Sequence, residues 1–217
     1  MTKKRVAVLI SGRGSNMAAL TAAATADTYP AEIALVLSNR PAAAGLAGAR
    51  AAGIATAIVD HATYGKDRES FEGAMQAELE RHDIELVCLA GFMRLLTPSF
   101  VRHWQGRLIN IHPALLPAFK GLDTHARALA AGVKIHGASV HFVVEEIDGG
   151  PIIIQGALAV RDDDTAASLG ERVLAIEHKI YPTALALLAS GRVTIVDGRC
   201  RIEGTDGAAG HLIAPAT

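Results

Sequence analysis

Three observations predict an α/β fold: a Rossmann-like, mostly parallel sheet with helices on both faces and antiparallel strands in the C-terminal part. Through the first half, continuous apolar runs alternate with helical stretches, the pattern of strands buried on both faces. The first run, Arg5 to Ile10, breaks at once into Ser11-Gly12-Arg13-Gly14-Ser15-Asn16 and then a helical stretch. Beyond Gly137 the rhythm changes to two alternating strands with a glycine-rich connection, which suggests an antiparallel pair.

Size and composition agree with this class. The 217 residues are half hydrophobic and one-fifth charged, enough for a sizeable core. Aromatic residues are scarce, so Ala, Val, Leu and Ile do the packing. The net charge of −1 gives no case for a nucleic-acid or membrane surface. Cys88 and Cys200 lie far apart and neither has a CxxC partner. A reducing compartment is expected, and a disulfide framework is not. Met1-Thr2-Lys3-Lys4-Arg5 followed by Val6 to Ile10 looks briefly like a signal peptide, but the apolar run is short and ends in the glycine turn. The expectation is a first buried strand in a cytoplasmic protein, with no apolar run of membrane-spanning length.

The elements follow in order. The first strand, 5–10, leads through the glycine turn to a helix over 17–26. Glycines let backbone N–H groups approach an anion at a helix N-terminus, and Ser11, Ser15 and Asn16 add side-chain donors. The spacing matches neither the dinucleotide fingerprint nor a Walker loop. A plain tight turn with Ser15 or Asn16 as N-cap is the alternative. A second strand covers 32–38, a helix 43–52 stopped by Gly53, and a third strand 54–60. After a loop at 61–66, a long helix over 67–82 carries Phe71, Met75 and Leu79 on one face. Arg68 sits in its first turn, where the helix dipole disfavours a cation, hinting at a role beyond helix stability. The fourth strand, 86–92, leads to Met93-Arg94-Leu95-Leu96, and Thr97-Pro98 opens a short helix as N-cap and first residue.

The stretch Arg107 to Pro117 begins as a strand that Pro113 halts. Asn110 and His112 are two apart and so point to the same side of it. That presents an amide and an imidazole at the carboxyl edge of a sheet, where α/β proteins place chemistry. On this stretch alone, Asn110 as a turn cap and His112 as a satisfied core histidine remain open. A helix is predicted over 124–131, strands over 137–144 and 151–157, and Asp148 in their connection, where it also fits an ordinary turn aspartate. A long helix over 165–190 should be interrupted at Pro182. A terminal hairpin on Asp197-Gly198 precedes a frayed small-residue tail. No internal repeat or linker is visible. None of the nine histidines forms an HxxxH or Cys/His cluster, so no metal is expected.

Together these motifs resemble the folate-dependent formyltransferases. The likeness rests on Asn110-Ile111-His112-Pro113 with Leu115-Leu116-Pro117, on Gly137-Ala138-Ser139-Val140-His141, and on Asp148-Gly149-Gly150. Ser11 to Asn16 and Ala90-Gly91-Phe92-Met93-Arg94 fit the same family, and the resemblance covers nearly the whole chain. It implies a formyltransferase fold in one domain, 1–217, because relatives with an added terminal domain are longer. Residues 1–106 would form a phosphate-binding half and 107–217 a catalytic and folate-binding half.

The implied activity is formyl transfer from 10-formyltetrahydrofolate, as cosubstrate, to the amine of N1-(5-phosphoribosyl)glycinamide in purine synthesis. By that resemblance Asn110, His112 and Asp148 are the catalytic trio. Gly12, Arg13, Gly14, Ser15 and Asn16 would hold the substrate phosphate, and Glu177 would contact the same substrate. Arg68, Met93, Arg94, Leu95, Leu96, Val144, Glu145, Glu146, Ile147 and Asp148, with Asn110, would line the folate site. Small molecules are the only partners implied, for a monomer or homodimer. Asp123 departs from the polar residue some relatives carry there, and Arg13 varies in the family, so their roles stay open. His141, alternating beside Ser139, either faces the site or packs.

The groups suit the reaction. As an amine attacks a formamide carbon, the carbonyl oxygen gains negative charge, and one donor aimed at it is worth about 3–4 kcal/mol. Asn110 offers a neutral donor and protonated His112 a charged one, with Asp148 expected to favour the imidazolium. A hydrolase releasing formate from the same cosubstrate would use the same trio but has no phosphate to hold. A non-catalytic nucleotide-binding module would leave the trio unexplained.

Overall fold

A computed structural model describes residues 2–204 and Ala214. The tail expected beyond Gly204 lies, apart from Ala214, outside the described residues. The chain begins with β1 (Lys4–Ile10), α1 (Ser15–Ala24), β2 (Ala31–Ser38), α2 (Gly45–Ala51) and β3 (Ala55–Ile58). It continues with α3 (Arg68–Arg81), β4 (Leu86–Leu89), α4 (Pro98–His103) and β5 (Leu108–His112). The last part holds α5 (Thr124–Ala130), β6 (Ile135–Phe142), β7 (Ile152–Ala159), α6 (Ala166–Ala189) and a hairpin of β8 (Val193–Val196) and β9 (Arg199–Ile202).

Seven strands form one sheet in the order β3-β2-β1-β4-β5-β6-β7. The pairs among β1 to β5 are parallel, and β6 and β7 run antiparallel to their neighbours. Successive side chains of a strand point to opposite faces, so the sheet separates two cores. Val6, Val8 and Ile10 pack with Met17, Leu20, Val173 and Tyr181 on one face, whereas Ala7 and Leu9 pack with Phe71, Met75 and Trp104 on the other. That arrangement is why β1 reads as an unbroken apolar run. Strand order reverses between β1 and β4, which makes the carboxyl ends of these two strands the switch point where α/β sheets open a crevice.

Local chemistry sets several ends. Thr97 caps α4 by accepting from Phe100 N–H, with Pro98 in the first turn, as the sequence predicts. Asp197 and Gly198, both at positive φ, make the turn of the β8–β9 hairpin. One expectation and one alternative need correction. First, α6 is not interrupted: it runs through Pro182 for 24 residues. Its face is held along the whole length by buried Leu169, Val173, Tyr181 and Leu185, so tertiary burial outweighs the one backbone bond that proline removes. Second, Ser15 and Asn16 do not cap α1; Gly14 does, at φ 76°. A non-glycine residue is strained there, and a Cβ would meet Gly45 Cα at 3.0 Å. The glycine turn is thus seated directly on the start of α2, with Gly45 N–H donating to Gly12 C=O at 3.0 Å.

Candidate active site

Strand β5 ends at the sheet edge with Asn110 and His112 on one face. Antiparallel pairing sets Asn110 opposite His141 and His112 opposite Ser139, bringing four polar side chains of two strands to the same face. Asn110 Nδ2 lies 3.3 Å from His141 Nε2. His141 Nδ1 is 2.8 Å from Phe142 C=O, and its Nε2 lies within reach of both the Asn110 amide and the Asp148 carboxylate. The side chain is 2% exposed and faces the site, which resolves the alternative left open for it.

Asp148 joins from the turn after β6, at φ 50°. The turn folds tightly because Gly150 lies where a Cβ would sit 1.8 Å from Phe142 C=O. The Asp148 carboxylate is 3.3 Å from His112 Nδ1 through Oδ2 and 3.6 Å from His141 Nε2 through Oδ1, and Oδ2 accepts from Gly121 N–H at 2.8 Å. Burial works to raise the Asp148 pKa. Contact with His141, the Gly121 N–H and the charge of His112 outweigh it, so the carboxyl stays below its ordinary range.

His112 meets acceptors on both sides: Nε2 is 2.9 Å from Phe119 C=O, and Nδ1 faces Asp148. A singly protonated ring leaves one of them unpaired, and the imidazolium satisfies both. Burial nevertheless dominates and pulls the His112 pKa below its ordinary value, against the opposing pull of the Phe119 carbonyl and Asp148. The sequence expectation counted only the carboxylate and left out the cost of charging a buried ring. His125 and His136 lie behind this group, 3.2 Å apart through Nδ1 and Nε2.

The glycine turn opens at the carboxyl end of β1. Gly12 and Arg13 are exposed, Gly14 and Ser15 half-buried, and Asn16 buried. The first amides of α1 have no acceptor within the helix. Asn16 Nδ2 donates to Glu177 Oε2 at 2.6 Å, and Asn16 Oδ1 is buried without a partner. Burial raises the Glu177 pKa, partly offset by that bond. Ser11 proves unavailable as an anion donor: its hydroxyl donates to Asn39 Oδ1 at 2.6 Å and accepts from Met93 N–H at 2.8 Å. It ties β1 to the segment after β4 across the switch point.

That segment exposes Met93 and Leu95, at 58% and 64%, while Arg94 lies half-buried with its guanidinium 6.0 Å from the Phe71 ring centre. Leu96 is half-buried. Arg68, in the first turn of α3, donates to Leu95 C=O. Opposite in sequence, Val144 is half-buried and Ile147 is 52% exposed. Glu145 and Glu146 are turned to surface partners, Arg102 at 2.6 Å and Lys120 at 2.7 Å. Asp123 precedes α5 at φ 56° and makes no capping bond. No group of three His, Cys, Asp or Glu suited to a metal ion occurs among the described residues. Sequence reasoning had no signal for the Phe119 carbonyl or the Gly121 amide, which act through backbone alone.

The sequence profile described as Formyl transferase matches residues 4–185. The chain is 41% identical over 199 residues to phosphoribosylglycinamide formyltransferase of Escherichia coli (strain K12), covering 92% of this chain and 93% of that protein. It is 50% identical over 193 residues to the trifunctional purine biosynthetic protein adenosine-3 of Homo sapiens; the match covers 89% of this chain and spans only 19% of that longer protein. The crystal structure of glycinamide ribonucleotide transformylase 1 from Symbiobacterium toebii superposes with a TM-score of 0.89 at 44% identity, covering 92% of this chain and 94% of that one.

Proposed function

The chain belongs to the formyl transferase family, and from that premise we propose that it is a phosphoribosylglycinamide formyltransferase. It moves a formyl group from 10-formyltetrahydrofolate to the amine of N1-(5-phosphoribosyl)glycinamide, a step of purine synthesis. The observation that carries this reading is the placing of Asn110, His112 and Asp148 at the end of β5, with an anion-ready glycine turn at the end of β1 and exposed Met93 and Leu95 after β4.

In this reading Gly12 to Asn16 receive the phosphate on backbone amides, with Arg13 free to add its charge from solvent, and Glu177 with Asn16 meets the rest of that substrate. Arg68, Met93 to Leu96 and Val144 to Asp148 take the folate. Exposed apolar side chains beside loop backbone suit a flat heteroaromatic ring with a polar edge. The folate brings an activated formyl carbonyl; the chain's residues handle its charge and protons. Asn110, held by His141, donates to the carbonyl oxygen as negative charge grows there. His112 gives up the Phe119 carbonyl as partner and turns Nε2 toward the reacting centre, while Asp148 keeps Nδ1 protonated and steadies the positive ring. Residues 1–106 thus hold phosphate, and 107–217 carry the chemistry. A reducing, cytoplasmic setting fits the two free thiols of Cys88 and Cys200.

The deciding experiment is an assay of glycinamide ribonucleotide with 10-formyltetrahydrofolate, following the deformylated folate. Release dependent on the ribonucleotide supports transfer. Equal release with water alone identifies a hydrolase, and no release with no folate binding leaves a nucleotide binder.

A further inference from the structure

Glu72 is a buried carboxylate that none of the chemistry above uses. It lies on α3, 5% exposed, one turn after Arg68. Both oxygens go to one residue: Oε1 accepts from Thr97 N–H at 2.7 Å, and Oε2 accepts from the Thr97 hydroxyl. No Lys, Arg or His among the described residues forms an ion pair with it. A carboxylate buried without a cation is a poor choice for stability, and an apolar residue would serve the helix better. Its value lies in where it holds Thr97.

Residues 93–96 have neither helix nor strand of their own. They are pinned from outside at three points: Ser11 Oγ takes Met93 N–H at 2.8 Å, Arg68 takes Leu95 C=O, and Glu72 takes both polar groups of Thr97. Two of the three pins stand on one face of α3. The Met93 and Leu95 side chains project between the pins, 58% and 64% exposed. A loop fixed this way meets its ligand already ordered, and affinity is not lost to ordering it on binding.

We propose that Glu72 is a positioning residue for the reduced folate: through Thr97 it fixes the 93–97 segment, setting folate affinity without a part in formyl transfer. The inference rests on the formyl-folate reading above.

The test compares wild type, Glu72→Ala, Glu72→Gln and Met75→Ala, a fully buried core position on the same helix. Steady-state kinetics gives kcat and the KM for 10-formyltetrahydrofolate; calorimetry gives the Kd for glycinamide ribonucleotide. Glu72→Ala should raise the folate KM ~10-fold and Glu72→Gln, which keeps one acceptor and the volume, ~3-fold, leaving kcat and ribonucleotide Kd within ~2-fold. Met75→Ala should lower Tm and leave the folate KM unchanged. A wild-type folate KM in Glu72→Ala, or a rise no larger than in Met75→Ala at equal loss of Tm, overturns the proposal. Should Glu72→Ala fail to fold, an unshifted KM in Glu72→Gln does the same. A wild-type protein that neither turns over nor binds tetrahydrofolate overturns the folate reading itself.

Discussion

The glycine turn and the β5 cluster stand at the same edge of one sheet, yet they are made in opposite ways. The turn, Gly12 to Asn16, is built by neighbours in sequence: Gly14 supplies the left-handed backbone at φ 76°, and α1 starts beside it. The cluster joins Asn110 and His112 to His141 and Asp148, from a strand, its antiparallel neighbour and the turn beyond. A one-residue slip between β5 and β6 would turn the cluster inside out and leave the glycine turn intact. Under the proposed function, binding by local backbone and catalysis by strand register can therefore be damaged separately.

The sharpest way to break that comparison is to truncate the cluster. Asn110→Ala and His112→Ala should each lower kcat ~10²- to 10³-fold while moving either KM less than ~3-fold. Near-normal turnover in one of them would remove that residue from the chemistry.

Asp148→Asn should cost ~10- to 100-fold in kcat and should also move the pH–rate profile. The carboxylate raises the His112 pKa against burial, so removing its charge lowers that pKa further. With the imidazolium as the working form, the alkaline decline of kcat should begin at lower pH. A profile that keeps its wild-type position would separate Asp148 from His112.

Damage to the turn should look different. Gly14→Ala forces a side chain into φ 76° and against Gly45 Cα at 3.0 Å. The KM for the ribonucleotide should rise ~10-fold, with kcat and the folate KM nearly unchanged. A fall in kcat as large as that of His112→Ala would show that turn and cluster act as one unit.

The smallest effect concerns acid. Burial first, then His125 and His112, push His136 down to about 4 from 6.5. Between these values the unfolded chain binds more protons than the folded one, so stability rises with pH. His136 supports the fold fully above pH 6.5 and loses that contribution as pH falls through about 4. Tm should fall as pH drops through this window, and His136→Gln should flatten the slope. A slope that His136→Gln leaves intact would assign the acid sensitivity to other groups.

Sequence alone determined the alternation of elements, because apolar runs, glycines and caps act over a few residues. It gave β1 and its turn, the Thr97-Pro98 start of α4, the antiparallel pair and the Asp197-Gly198 hairpin. Asn110 and His112 on one side follow from the two-residue period of a strand. It misjudged Pro182, where packing of α6 outweighs local preference, and it did not single out Gly14, whose seat on Gly45 starts α1. Only the tertiary structure decided that Asp148 reaches His112, that His141 faces Asn110, that Ser11 spends its hydroxyl on Asn39 and Met93, and that Glu72 holds Thr97. Each of these joins residues at least 25 positions apart, or depends on a backbone group whose identity carries no signal. Burial acts the same way: the ring of His112 is charged at a cost set by what surrounds it, and those surroundings are assembled only when the sheet closes.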